Sequence, residues 1–165
     1  MTGGGTIVGG WLTTDSRYLA EVMSHAAAFV AACRYPPVGH RSFGPSRGLL
    51  YGGPDYVQHA DTEILTWAMI ESAAALQSLE AILAVPGLDG VYVGPNDLAL
   101  SIGETAGQSP VPASVRAALE IIVVAAHAPG RWAGAFCADG PSGRELVELR
   151  YDFVTPGNDV DAGSQ

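Results

Sequence analysis

Residues 87–103 read GLDGVYVGPNDLALSIG. The stretch opens as a strand, with Val91, Tyr92 and Val93 giving an apolar run that does not alternate with polar residues. Such a run belongs to a strand covered on both sides, as in a parallel sheet. Gly94 and Pro95 turn the chain, and Asp97 then stands at the mouth of an expected helix. A carboxylate at that place needs a reason, and the rest of the chain supplies candidates.

The same rhythm extends outward in both directions. Before it, residues 65–70 read as a strand with Glu71 at its end, followed by an amphipathic helix with Leu76, Leu79, Ile82 and Leu83 on one side. After it come a helix from Pro112 closed by Pro129 and Gly130, a strand over 133–137, a short helix over 142–150 and a strand over 152–156. Near the start, 6–12 reads as a strand. Thr14, Asp15 or Ser16 is placed to cap the helix that follows, and Pro36-Pro37 must end it because proline cannot continue the hydrogen-bond ladder. Residues 39–60 read as a long glycine-rich loop with a helical turn near 46–51, and loops of that length are usually functional or at an interface. Strand–helix alternation with apolar strands predicts an α/β parallel sheet, either barrel-type or doubly wound, in a single domain over 1–165.

Bulk composition narrows the function classes. The chain has 165 residues, 48% of them hydrophobic and 15% charged, which suits one domain with a proper core and not a disordered chain. A net charge of −9 leaves no basic stripe for phosphates, so nucleic acid is not an expected partner. No apolar run reaches the roughly 18 residues of a membrane span. The start lacks the basic and apolar regions of a signal peptide, which makes a cytoplasmic location the expectation. Cys33 and Cys137 are far apart and read as reduced, buried thiols.

Chemistry in parallel α/β folds gathers at the carboxyl ends of strands. Glu71 and Asp97 both sit there, one strand–helix–strand unit apart. Neighbouring parallel strands lie about 4.8 Å apart, so the two carboxylates can converge. Converging acids need a counter-charge or a shared proton, and a hard divalent cation such as Mg²⁺ or Mn²⁺ fits. The competing reading is that each acid simply caps the helix after it. The turn Gly94, Pro95, Asn96, Asp97 offers free backbone N–H groups to a small anion such as a substrate carboxylate; an ordinary turn is the alternative. Arg41, with His40 and Arg47 in the long loop, is a further candidate anion contact.

The segments RYPPVGHRSFGPSR, MIES, LEAILAVPGLDGVYVGPNDLALSIG and DFVTPGNDV occur in an order that resembles the HpcH/HpaI aldolase family, over about 31–159. The resemblance implies a TIM barrel, usually assembled as a hexamer, and a class II aldolase dependent on Mg²⁺, Mn²⁺ or Co²⁺. The implied activity is reversible cleavage of a 4-hydroxy-2-keto acid to pyruvate and an aldehyde. It also implies that Glu71 and Asp97 are the metal ligands and that Gly94, Pro95, Asn96 and Asp97 hold the pyruvate carboxylate.

The chain departs from that pattern near residues 26–28, where the family's second strand should follow and a later helix arrives instead. A full barrel takes about 250 residues and eight units. Five strands are expected here, which makes the fold an incomplete barrel with an internal deletion and a short C-terminal end. The missing part carries the family's catalytic histidine with its acidic partner, and an arginine. None of His25, His40, His59 and His127 fits by motif, and no general base is found. An unclosed sheet leaves edges and apolar faces bare, so a homo-oligomer is expected. Two alternatives accompany the aldolase reading. One is a chain that binds metal or keto acid, or serves as an interaction subunit, without turnover. The other, a citryl- or malyl-CoA-type lyase, is disfavoured by the YPPVGHRS loop.

Overall fold

A computed structural model describes residues 7–10 and 19–157. It contains five strands, β1 (Ile7–Gly10), β2 (Leu65–Ile70), β3 (Gly90–Val93), β4 (Trp132–Cys137) and β5 (Phe153–Pro156). All pairings are parallel and the strand order is sequential, β1-β2-β3-β4-β5. A doubly wound sheet reverses its strand order at a switch point; this one does not, so the barrel-type reading holds and the doubly wound one falls. The expected helix cap at Thr14, Asp15 or Ser16 lies outside the described residues.

The helices are α1 (Leu19–Cys33), α2 (Ser46–Gly52), α3 (Tyr56–Glu63), α4 (Ala73–Gln77), α5 (Leu79–Leu83), α6 (Pro95–Ser101), α7 (Ala113–His127) and α8 (Gly140–Glu148). Helix α7 shows why they sit where they do. Its buried Val115, Ala118, Leu119, Ile122, Val123 and Ala126 recur at the spacing that puts one stripe on the core. That stripe joins Ala26 and Val30 of α1, Leu79 and Ile82 of α5, and the sheet residues Ala68, Ile70, Val91, Val93, Ala133 and Ala135 in one core. Those sheet residues alternate with a second set, Trp67, Tyr92, Trp132, Gly134 and Phe153, which faces the other way. This inner face is aromatic. Trp67 lies 6.2 Å from Trp132 and 6.0 Å from Phe153 between ring centroids, and a Cβ at Gly134 would press on Trp67 and Tyr92.

Three details differ from the sequence reading. Helix α1 runs unbroken through 26–28, with Ala26 fully buried, and β1 pairs directly with β2. The helix expected over 73–83 is two, meeting at Ser78, whose N–H still bonds to Ala74 and Ala75 carbonyls. The long loop contains α2 as expected and also α3, a polar helix that buries only Tyr56 and Ala60 against Tyr35 and Ile64.

Candidate functional site

Glu71 follows the last residue of β2, and Gly94 follows the last residue of β3. The register pairs Ile70 with Val93, and the Gly94 N–H donates to the Ile70 carbonyl at 3.3 Å, so the two strand ends are level. Asp97 is in the first turn of α6, an acid at the positive end of the helix dipole. Both side chains turn toward Gly94. A Cβ on that glycine would stand 3.3 Å from Glu71 Oε2 and 3.7 Å from Asp97 Oδ2. Glycine here keeps open a cradle whose walls are two carboxylates.

The cap alternative fails for Glu71. The cap of α4 is Ser72, whose hydroxyl accepts from the Ala75 N–H at 3.1 Å. Helix α6 has Gly94 at its cap position and no side-chain cap bond, so Asp97 is not a cap either. Among the described residues, no ion pair or hydrogen bond engages either carboxylate. The consequence is electrostatic: burial, and then the neighbouring Asp97 charge, raise the Glu71 carboxyl above its ordinary pKa.

The surrounding backbone is pinned by short polar side chains. Ser101 Oγ accepts from the Ala73 N–H at 2.9 Å, which ties the end of α6 to the start of α4. Asn96 Oδ1 accepts from the Gly107 N–H at 2.9 Å and fastens the loop after α6. A cavity of about 100 Å³ opens beside Pro95 and Asn96, roofed by Gly107 to Val111 and floored by Phe136 and Cys137. Serine at a helix start is a readable cap signal. Nothing in sequence spacing marks the Ser101 and Gly107 ties.

The other candidates lie elsewhere. Arg41 donates to the Tyr56 hydroxyl at 3.2 Å and lies 4.7 Å from the Tyr35 ring centroid, in the cluster with Ile64. Ile64 precedes β2 and Glu71 follows it, so Arg41 is at the strand-entry end and away from the carboxylates. The loop is drawn there because Gly39, His40 and Arg41 bond back to Tyr35, Ala31 and Arg34. His127 pairs with Asp152 at 2.9 Å, before β5 begins, and His59 pairs with Asp55. His25 and His40 are exposed. Among the described residues no third His, Cys, Asp or Glu joins Glu71 and Asp97 in a metal-holding group.

The family profile for HpcH/HpaI aldolase/citrate lyase matches residues 20–162. The chain belongs to this family. A hydroxypyruvate/pyruvate aldolase of Rhizorhabdus wittichii is 37% identical over 142 residues, covering 86% of this chain and 57% of the relative. A 5-keto-4-deoxy-D-glucarate aldolase of Klebsiella pneumoniae is 36% identical over 142 residues, with 85% and 55% covered. Among solved structures, a family member from Burkholderia cenocepacia superposes with a TM-score of 0.77 at 28% identity, covering 94% of this chain and 60% of that one. The chain spans about half the length of the curated relatives it matches. Family membership fits the sequential parallel sheet. Among the described residues no helix is long and apolar enough to cross a membrane.

Proposed function

We propose that this chain carries the metal- and keto-acid-holding half of an aldolase site, for reversible cleavage of a 4-hydroxy-2-keto acid to pyruvate and an aldehyde. The observation that carries the reading is the pair Glu71 and Asp97 around the side-chain-free Gly94, with no cationic side chain paired to them among the described residues. Two carboxylate oxygen donors and open neighbouring positions suit Mg²⁺ or Mn²⁺. Bound there, a divalent cation would supply Lewis-acid stabilisation of the negative charge that develops on the keto acid. Glu71 and Asp97 would hold it, and Asn96 would fix the turn through Gly107. The first-turn amides around Asn96 and Asp97 have no intrahelical acceptor and are offered to the pyruvate carboxylate. A hydroxypyruvate/pyruvate aldolase and a 4-hydroxy-2-oxovalerate aldolase among the similar proteins support the substrate class.

A second reading is favoured by one observation: none of the chain's described histidines joins the carboxylate pair. On that reading the chain binds metal and keto acid without turnover, since loss of a general base costs about 10²–10⁴-fold. One experiment separates them. Exchange of the pyruvate methyl protons in D₂O, followed by NMR with and without Mn²⁺ or Mg²⁺, is expected to be metal-dependent if the site enolises pyruvate. No exchange from a folded chain that binds Mn²⁺ selects the second reading, and absence of Mn²⁺ binding removes both.

A further inference from the structure

Residues 38–51 form the most exposed apolar segment described. Val38, Phe43, Leu50 and Tyr51 are each between 73% and 77% exposed, and α2 buries none of its residues. The reason is a two-sided helix. Gly48 and Gly52 lie against the ring of Tyr56, where a Cβ at either would overlap it. The glycine side of α2 therefore faces the molecule, and its large side chains are left facing water. Large side chains clustered on one projecting segment mark an interaction surface.

The segment is also the basic part of an acidic chain. Between residues 36 and 54 there are Arg41 and Arg47 and no acid, so all seventeen Asp and Glu lie elsewhere in a chain of net charge −9. Arg41 is held by its tyrosines, while Arg47 is exposed. A surface of this kind is attracted to the body of another copy of the same chain.

That body offers a matching apolar face. The inner side of the sheet carries Trp132 and Phe153, 46% and 38% exposed, packed around Trp67. The indole N–H of Trp67 is buried and has no acceptor among the described residues. No helix belongs to the core on this side of the sheet among the described residues, because the helical stripes gather on the other.

We propose that residues 38–51 of one copy dock on the open aromatic face of a second copy. The contact is head-to-tail, with arm and face being different surfaces, and such contacts build rings or open chains. Leu50 and Tyr51 anchor against Trp132 and Phe153, the exposed rings of that face. The inference does not depend on the catalytic reading, because association is measured as mass and metal retention by spectroscopy.

The test is light scattering on the purified 165-residue chain and on two variants, Leu50→Asp/Tyr51→Asp in the arm and Phe153→Glu in the face. The wild-type chain is expected above the 17.0 kDa monomer mass, and each variant at the monomer mass. Mixing the two variants is expected to restore a dimer, because one intact arm then meets one intact face. A monomeric wild-type chain, an arm variant that stays associated, or a mixture that stays monomeric overturns the proposal. Because Phe153→Glu can unfold the sheet, a photo-cross-linker at position 50 of the otherwise unaltered chain gives a second readout. Cross-linked peptides containing Trp132 or Phe153 are expected. Adducts confined to a second copy's α2, or to added vesicles of anionic lipid, overturn the assigned face.

Discussion

Replacing Asp97 with asparagine should change the sign of its effect according to whether metal is present. Without metal, Glu71 and Asp97 repel. Their oxygens lie 3.3 and 3.7 Å from one point beside Gly94, so they are at most about 7 Å apart, and like charges at that distance repel by roughly 0.6–2.4 kcal/mol for effective dielectrics of 80 to 20. Exposure of Asp97 favours the lower half of that range, about 1 kcal/mol. Asp97→Asn should therefore stabilise the metal-free chain by about 1 kcal/mol. With metal at a hundred times its Kd, the wild-type chain gains about 2.7 kcal/mol. Loss of an outer-shell partner already weakens metal sites by about 10–100-fold, so loss of a ligand costs at least that. A hundredfold loss leaves the variant about 0.4 kcal/mol of metal stabilisation, and it becomes the less stable protein by about 1 kcal/mol.

The assay is urea unfolding at pH 7 and low salt, once in EDTA and once in Mn²⁺. The Glu71 shift adds a pH arm. Its folded pKa is raised, so its stabilising contribution is fully present below the unfolded value, near 4.3, and is lost as pH rises through the folded value. In EDTA the wild-type chain should gain stability as pH falls from 7 toward that range, and Asp97→Asn should gain less. Unfolding midpoints for the two proteins that keep the same order with and without Mn²⁺ would refute the assignment of this pair.

Three further outcomes follow from the geometry. Asn96→Ala releases the Gly107 N–H, a loss of about 0.5–1.5 kcal/mol that should show as roughly tenfold faster hydrogen exchange at that amide. Gly134→Ala drives a methyl to 2.7 Å from Trp67 and 2.9 Å from Tyr92, so it should lower stability by about 1–3 kcal/mol in thermal melts; a neutral result would mean the inner aromatic face is not packed as described. The Asp152 carboxyl is pushed up by partial burial, but bonds from the Ala133 N–H and His127 hold it below its usual range. With a depressed pKa its stabilisation exists above the unfolded value, near 3.9, and is lost as pH falls through the folded one, so Asp152→Asn should cost about 1 kcal/mol at pH 7 and almost nothing near pH 2 in urea unfolding.

What could be read from sequence was what depends on local pattern. Strand β2 is Leu65–Ile70 as its apolar run indicates, because a strand apolar on both faces has few alternatives. Glu71 and Asp97 could be paired on paper because consecutive parallel strands fix where their ends stand. Helix α3 was not legible: it is largely polar and exists by packing Tyr56 and Ala60 on Ile64 at its own end and on Tyr35, which lies about twenty residues earlier in the sequence. The surroundings of Arg41 were not legible for a similar reason. They are two aromatic rings brought together by the fold-back of 34–41 onto α1, and no spacing announces that.

The placement of the two carboxylates is a local property of the fold. Glu71 and Asp97 are carried by β2, β3 and the helices α4 to α6, a contiguous stretch that contains its own ties, Gly94 to Ile70 and Ala73 to Ser101. Helix α1 meets this stretch only by packing, with Ala26 in one core with Leu79 and Ile82 of α5, while the hydrogen bonds that tie the strand ends and helix ends together lie within the stretch itself. On the proposed reading, metal retention and proton transfer are separable. The first would be set by local strand geometry. The second would need a base beside the pair, and none of the described histidines joins it.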